Sequence, residues 1–395
     1  MKAYPILLSL LFAVTACSEN EQQFTVQAPD FALAGTPVYA DIETGSLEDG
    51  AVVCLQSGGQ SIPGQVEAVS NSTQRIWWIA GQAAGSEAVY ALSSDERCDA
   101  ASFSWGQPVE DATVLSLGDQ PVIRYEHPVF DSGDIEGTKK PFHQVYAPGG
   151  NRLITKGTGG LFPHHRGIYF GYNHVYVDER QIDIWHARNG ERSEHFEVVK
   201  EFEGPVMGGH IVTIHWKDHD GEPFLEETRE IRVFRQPRGE SLIDLQTTLH
   251  AIDKPVSLGG DRQHAGVQFR AAQYTADNDE LTKFIRPAGL SHLAADEEID
   301  GDDMMDLTWN AMHFNVDGNF YTTAYLTHPD NPEGAEMSER LYGRFGEFIP
   351  HELTADNPLQ LKYRFWIKEG DQPAIDDIEL RYAPYANPVR VQTTN

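Results

Sequence analysis

Apolar and polar positions alternate with a period of two along much of the chain. Leu359, Leu361, Tyr363, Phe365 and Ile367 interleave with Gln360, Lys362, Arg364, Trp366 and Lys368, the pattern of a strand with one buried face. Residues 210–216 and 224–234 flank a polar stretch and predict a hairpin whose loop exceeds two residues. Residues 311–316 and 319–326 flank Asp317-Gly318, a pair that tolerates the positive φ angles of a tight I′ turn. Earlier short runs at 24–26, 51–55 and 74–79 lie between clusters of Gly, Ser, Pro and Asp. No long 3.6-residue period competes with these strands. The expected fold is therefore all-β: a small N-terminal β-sandwich over 24–105, a connector from Gly106, and a large antiparallel β-sandwich, supersandwich-like, over 111–395.

The first residues read differently. Lys2 precedes an apolar stretch over 6–14, too short for the ~20 residues that span a bilayer. A basic start, a short apolar run and small residues make a secretory signal. Val14-Thr15-Ala16-Cys17 resembles the bacterial lipoprotein signal, which implies cleavage after residue 16 and a lipid on Cys17. Residues 17–23 then form a polar tether. Ser18 in place of Asp after the cysteine implies an outer-membrane lipoprotein of a Gram-negative cell, facing the periplasm or the surface. Cys54 and Cys98 remain as an even pair in an oxidising compartment and are expected to bridge. Cysteine nucleophiles and zinc-thiolate sites are thereby excluded.

Composition narrows the function. The 395 residues include 60 acids against 30 bases, a formal charge of −30, which excludes a non-specific nucleic-acid binder. Hydrophobic residues at 40%, with 10% aromatics, suffice for a packed core.

Strand parity then locates polar chemistry. Over 264–270, His264, Gly266, Gln268 and Arg270 share one face, against Ala265, Val267 and Phe269. Over 242–250, Asp244, Gln246, Thr248 and His250 oppose Ile243, Leu245 and Leu249. Taken as neighbours, the two strands predict a polar concave wall suited to the hydroxyls and carboxylates of a sugar.

The densest constellation is Phe162-Pro-His-His-Arg-Gly167, ahead of an aromatic run. It offers His164, His165 and Arg166. Asp183-Ile-Trp-His186 adds His186, with Asp183 beside it and Trp185 as a stacking surface for a sugar. Tyr342 and Arg344 share strand parity and reach the same cleft in this reading.

Three mechanisms use such groups. A divalent metal on His164, His165, His186 or His264 fits the histidine count, but adjacent histidines diverge in an extended segment, and no His-x-x-x-His helix is present. The expectation is no metal and no cofactor, with a divalent ion as the alternative. A glycoside hydrolase needs two carboxylates, for which Glu226-Glu227 and Asp183 are available. β-Elimination on a uronate needs a His or Tyr base and an arginine to neutralise the carboxylate, and the enrichment in His, Arg and Tyr fits it best. It also requires a locally basic cleft in an acidic protein.

Pro163-His-His-Arg-Gly167, Trp185-His186, Ile214-His-Trp216, His264-Ala-Gly266 with Gln268-Phe-Arg270, His328-Pro-Asp-Asn-Pro332 and Tyr342-Gly-Arg-Phe345 occur in order over 120–370. Together they resemble the bacterial domain-of-unknown-function family often labelled methane-oxygenase PmoA-like. That resemblance implies a secreted or periplasmic protein in a glycan-degradation setting. The expected catalytic residues are His164, His165, Arg166, His186, His264, Arg270, Tyr342 and Arg344. Trp185, Asp183, Gln268, His215 and His328 are expected to bind substrate. The expectation is a glycan-cleaving lyase or hydrolase; a non-catalytic glycan-binding lipoprotein and a metal-dependent oxygenase are the rivals.

Overall fold

The computed structural model describes residues 22–45, 47–93, 98–299 and 301–394. The expected signal segment, Cys17 and most of the tether lie outside these residues. The described chain is all-β, and every strand pairing in its sheets is antiparallel. Among the described residues no helix is long and apolar enough to cross a membrane.

The large domain is two eight-stranded sheets packed face to face, with a separate four-stranded sheet (Arg180–Ile182, His174–Val177, Val256–Gly259 and His351–Leu353) contributing to the same core. One, the site sheet, has at its centre Arg344–Phe348, Ala265–Arg270, Gly167–Tyr172 and Phe142–Val145 in spatial order. The other, the back sheet, carries Met207–Lys217, Pro223–Phe234, Glu240–Ala251 and Leu359–Glu369 as successive neighbours. Alternate residues of both meet in one core: Val267, Phe269, Ile168 and Phe345 from the first, Ile231, Ile243, Leu245, Tyr363 and Phe365 from the second. Parity therefore held within each strand, because a period of two sends every second side chain to the same face. Asp317 and Gly318 have φ of 49° and 81°, as the I′ turn between Trp309–Val316 and Asn319–Thr327 requires.

The small domain is a seven-stranded sheet that folds over so that its outermost strands, Leu33–Glu43 and Val391–Thr394, meet around Phe24, Val38, Leu55, Ile76 and Trp78. Its seventh strand comes from the C-terminus, which pairs with Gln23–Gln27. Conversely, Phe103–Trp105 pairs with Ala112–Leu117 in the site sheet. Cys54 and Cys98 are bonded, with Cα atoms 5.2 Å apart.

Two expectations change. The strands carrying Asp244–Gln246 and Gln268–Arg270 are not neighbours: they lie in different sheets and turn their polar faces to opposite sides of the sandwich. The alternation near 364–366 does not expose its polar face. Arg364 and Trp366 are buried because an unforeseen helix, Ile375–Ala386, packs Ile378 and Tyr385 over that part of the back sheet.

Candidate functional site

The outer face of the site sheet gathers most of the expected catalytic residues. Register sets Gly167, Arg270 and Arg344 side by side across three strands, with Tyr169, Gln268 and Gly346 as the next row. Gly167 makes the approach possible: at φ 54°, a Cβ there would lie 2.1 Å from the His143 carbonyl oxygen. Loops bring His164, His165 and Arg166 over this face, and the segment 183–186 closes one side.

Three imidazoles form a row. The ring centroids of His164 and His186 are 4.7 Å apart, and those of His186 and His264 are 5.3 Å apart. Two of them sit in matching turns. His186 donates its backbone N–H and its ring Nδ1–H to Asp183 (2.9 and 2.8 Å), and His264 does the same to Asp261 (3.1 and 2.9 Å). A carboxylate can only accept, so Nδ1 carries the proton and Nε2 keeps its lone pair in each neutral ring. Burial raises the Asp183 carboxyl, but the hydrogen bonds from His186 outweigh it and hold Asp183 below the usual range. His164 has no such partner among the described residues. Burial, and then the charge of Lys140, lower it to about 2, so it is neutral in water near pH 7.

Beneath the row lies His165, stacked between Tyr169 (5.7 Å) and Tyr342 (6.1 Å), with burial lowering it far below the ordinary imidazole value. Trp185 is fully buried against Tyr169 and Phe142, so it is no open platform for a sugar. The ring exposed at this rim is Phe162, at 41%.

Lysines that sequence reasoning overlooked anchor the loops. Lys139 donates to the His186 carbonyl and Lys140 to that of Trp185, both at 2.6 Å. Lys156 donates to the carbonyls of Phe162 (3.3 Å) and His165 (3.0 Å); burial, with Arg270 and Arg166 nearby, lowers it to about 7. Arg166 reaches Glu136 at 2.6 Å.

The arginines differ in how they are satisfied. Arg344 donates to Gln268 Oε1 (2.8 Å), Ser338 Oγ (2.9 Å) and the Tyr342 hydroxyl (3.2 Å). Gln268 is thereby committed to holding Arg344, and its amide donates to the Ala265 carbonyl (3.0 Å). Arg270 donates through Nη1 to the carbonyls of Ala271 and Tyr342, while its Nε and Nη2 are buried without a partner among the described residues. The same holds for Arg166 Nε and Nη1, Tyr169 Oη, Trp185 Nε1 and both nitrogens of His165. Buried donors are nearly always bonded, so this concentration is unusual for a merely structural core. Among the described residues no carboxylate lies in salt-bridge range of Arg270 or Arg344, and burial lowers Arg270 to about 10. The cluster is locally basic inside an acidic chain.

Other expected residues lie elsewhere. His215 is on the outer face of the back sheet, stacked on Phe196 (4.3 Å) and 3.7 Å from Glu226. His328 packs against Tyr385 near the small domain. Glu226 and Glu227 make no hydrolytic pair: they point to opposite faces, and Glu227 is buried, accepting from Arg229, Thr247 and Trp216. Asp261 was missed, though Asp261-Arg-Gln-His264 repeats the spacing of Asp183-Ile-Trp-His186. Among the described residues no group of three or more His, Cys, Asp or Glu side chains is disposed to hold a metal ion.

Fold and site thus define an all-β protein of two packed sheets, with a cationic, histidine-rich cluster on the outer face of one. The chain belongs to a family of unknown function, DUF6807, whose model matches residues 112–381. That stretch contains every member of the cluster. No curated protein matches the sequence. Among solved structures, the chain is similar to the GalM/aldose epimerase homologue from C. elegans, at 9% identity and a TM-score of 0.29, over 68% of this chain and 100% of that one.

Proposed function

We propose that the cluster binds the carboxylate of an acidic sugar and cleaves the glycan beside it by β-elimination. The observation that carries this reading is Arg270: a buried guanidinium whose Nε and Nη2 have no partner and which has no counter-carboxylate among the described residues, beside the ring of His165, which burial holds neutral. A carboxylate seated on that edge gains charge-assisted, two-point hydrogen bonds. Neutralising it makes the adjacent C5 proton more acidic. The ring of His165, which stacks on Tyr342 as Arg270 does and has both nitrogens without a partner among the described residues, takes that proton on its lone pair. The C4–O bond then breaks with its electron pair going to oxygen. Tyr342 supplies the proton to that oxygen, since its hydroxyl accepts from Arg344 and keeps its own O–H to donate. His164, neutral and half-buried, and the Asp-held rings of His186 and His264 complete the wall on which the sugar rests. A lipid on Cys17 would hold this activity at the outer membrane, and Cys17→Ser should shift the protein from the membrane to the soluble fraction.

Uronate-containing oligosaccharides test the mechanism. Elimination leaves a carboxylate-conjugated alkene with its own ultraviolet absorbance, and His165→Gln should abolish its appearance while retaining part of the binding. New reducing ends without that absorbance would mean hydrolysis. Binding with neither product would make the protein a glycan-binding module, and no binding of acidic glycan at all would end the reading.

A further inference from the structure

On the opposite side of the sandwich, a cavity of about 360 Å³ separates the small domain from the outer face of the back sheet. Tyr39, Arg75 and Trp77 line it from one domain; Gln246, His328 and Tyr385 line it from the other. His328, set apart from the cationic cluster, is thus part of a different enclosure. The size is within the range of small-ligand sites, which favour domain interfaces.

The charge pattern here is the reverse of the first site. Every cation lining the cavity has a carboxylate: Arg75 with Asp41 (2.7 Å), Arg364 with Asp244 (2.6 and 2.8 Å), Lys362 with Asp330 (2.7 Å) and Arg232 with Glu67 (2.7 Å). No surplus positive charge is left to attract an anion. The groups left for a ligand are uncharged. Gln246 makes no side-chain hydrogen bond among the described residues, so its amide offers both a donor and an acceptor. The His328 ring accepts the Asp330 backbone N–H at Nδ1 (3.1 Å), which puts its proton on Nε2, and burial keeps the ring neutral. Tyr39 is 37% exposed, and the Arg75 guanidinium 3.6 Å from its ring centroid fixes the ring's plane. A fixed aromatic face beside neutral donors and acceptors matches a ring with hydroxyl edges and C–H faces.

We infer that this cavity is a second saccharide site, selective for an uncharged sugar unit. It does not depend on the elimination reading, because it shares no residue with the cationic cluster.

The test is binding of the full chain to immobilised neutral oligosaccharides of glucan, xylan, mannan and galactan type, followed by calorimetry on those retained. Tyr39→Ala and Gln246→Ala, both on the cavity wall, should each weaken binding about tenfold or more. His264→Ala should bind the neutral sugar as the wild type does. Retention of no neutral oligosaccharide would overturn the inference, as would unchanged affinity in both cavity variants with native melting curves. Loss of acidic rather than neutral glycan binding in the cavity variants would also overturn it.

Discussion

Replacing Arg270 with methionine tests whether the site stores an uncompensated charge. Buried arginines in satisfied ion pairs are expensive to remove, at roughly 3–5 kcal/mol, because a partner is stranded. Arg270 has no such partner among the described residues. Burial, with Arg344 beside it, lowers it from above 12 to about 10. At ~1.4 kcal/mol per pH unit, the charged form is disfavoured in the fold by about 3 kcal/mol. Methionine removes that penalty. It also removes the hydrogen bonds to the Ala271 and Tyr342 carbonyls and the cation–π contact with the Tyr342 ring, together roughly 2–3 kcal/mol. The two nearly cancel, so the ligand-free variant should unfold within about 1 kcal/mol of the wild type. The pH dependence has a definite sign. The folded state releases this proton near pH 10 while the unfolded chain retains it, so wild-type stability gains on the variant as pH rises towards and beyond that value. Urea denaturation with and without a uronate oligosaccharide reads both effects: the ligand should stabilise the wild type and leave Arg270→Met unmoved. A loss above about 2 kcal/mol in the ligand-free variant, with ligand stabilisation intact, would refute the reasoning and make Arg270 an ordinary structural residue.

Acid should unfold the protein through a different set of groups. Tyr125 is surrounded by His127, His143, His195 and His210, and burial holds His210 at about 3 and His195 at about 4. The unfolded chain takes up these protons near pH 6.5, so stability should fall continuously from there down to about pH 3; a flat urea midpoint across that window would contradict it. Reducing the Cys54–Cys98 bond frees a loop with a sequence separation of 44 and should cost at most about 4 kcal/mol. The loss should show as an earlier transition of the small domain, followed by Trp78 fluorescence, and a single unshifted transition would contradict it.

Much of the local structure was legible. Alternation assigned the core and outer faces of Ala265–Arg270, and Asp317-Gly318 marked its turn, because both depend on backbone geometry within a few residues. The cysteine pair followed from parity of number. Helix Ile375–Ala386 was not legible: it is short, ends around Pro384, and owes its stability to the sheet beneath it rather than to a strong period of its own. The repeated Asp-x-x-His spacing was present in the sequence, yet its meaning depended on both turns setting their rings side by side.

The chain alone therefore determined which residues alternate, where it turns, and which strands carry polar faces. Only the tertiary structure decided which polar faces meet. It separated Gln246 from Gln268, sent His215 and His328 away from the imidazole row, and drew Lys140, Lys156, Arg166, Arg270 and Arg344 into one cluster. The physical reason is that face selection is local, whereas strand order and charge pairing are set by long-range contacts. Whether a charge is neutralised or left free for a ligand depends on distant neighbours, as Arg364 depends on Asp244, 120 residues away along the chain.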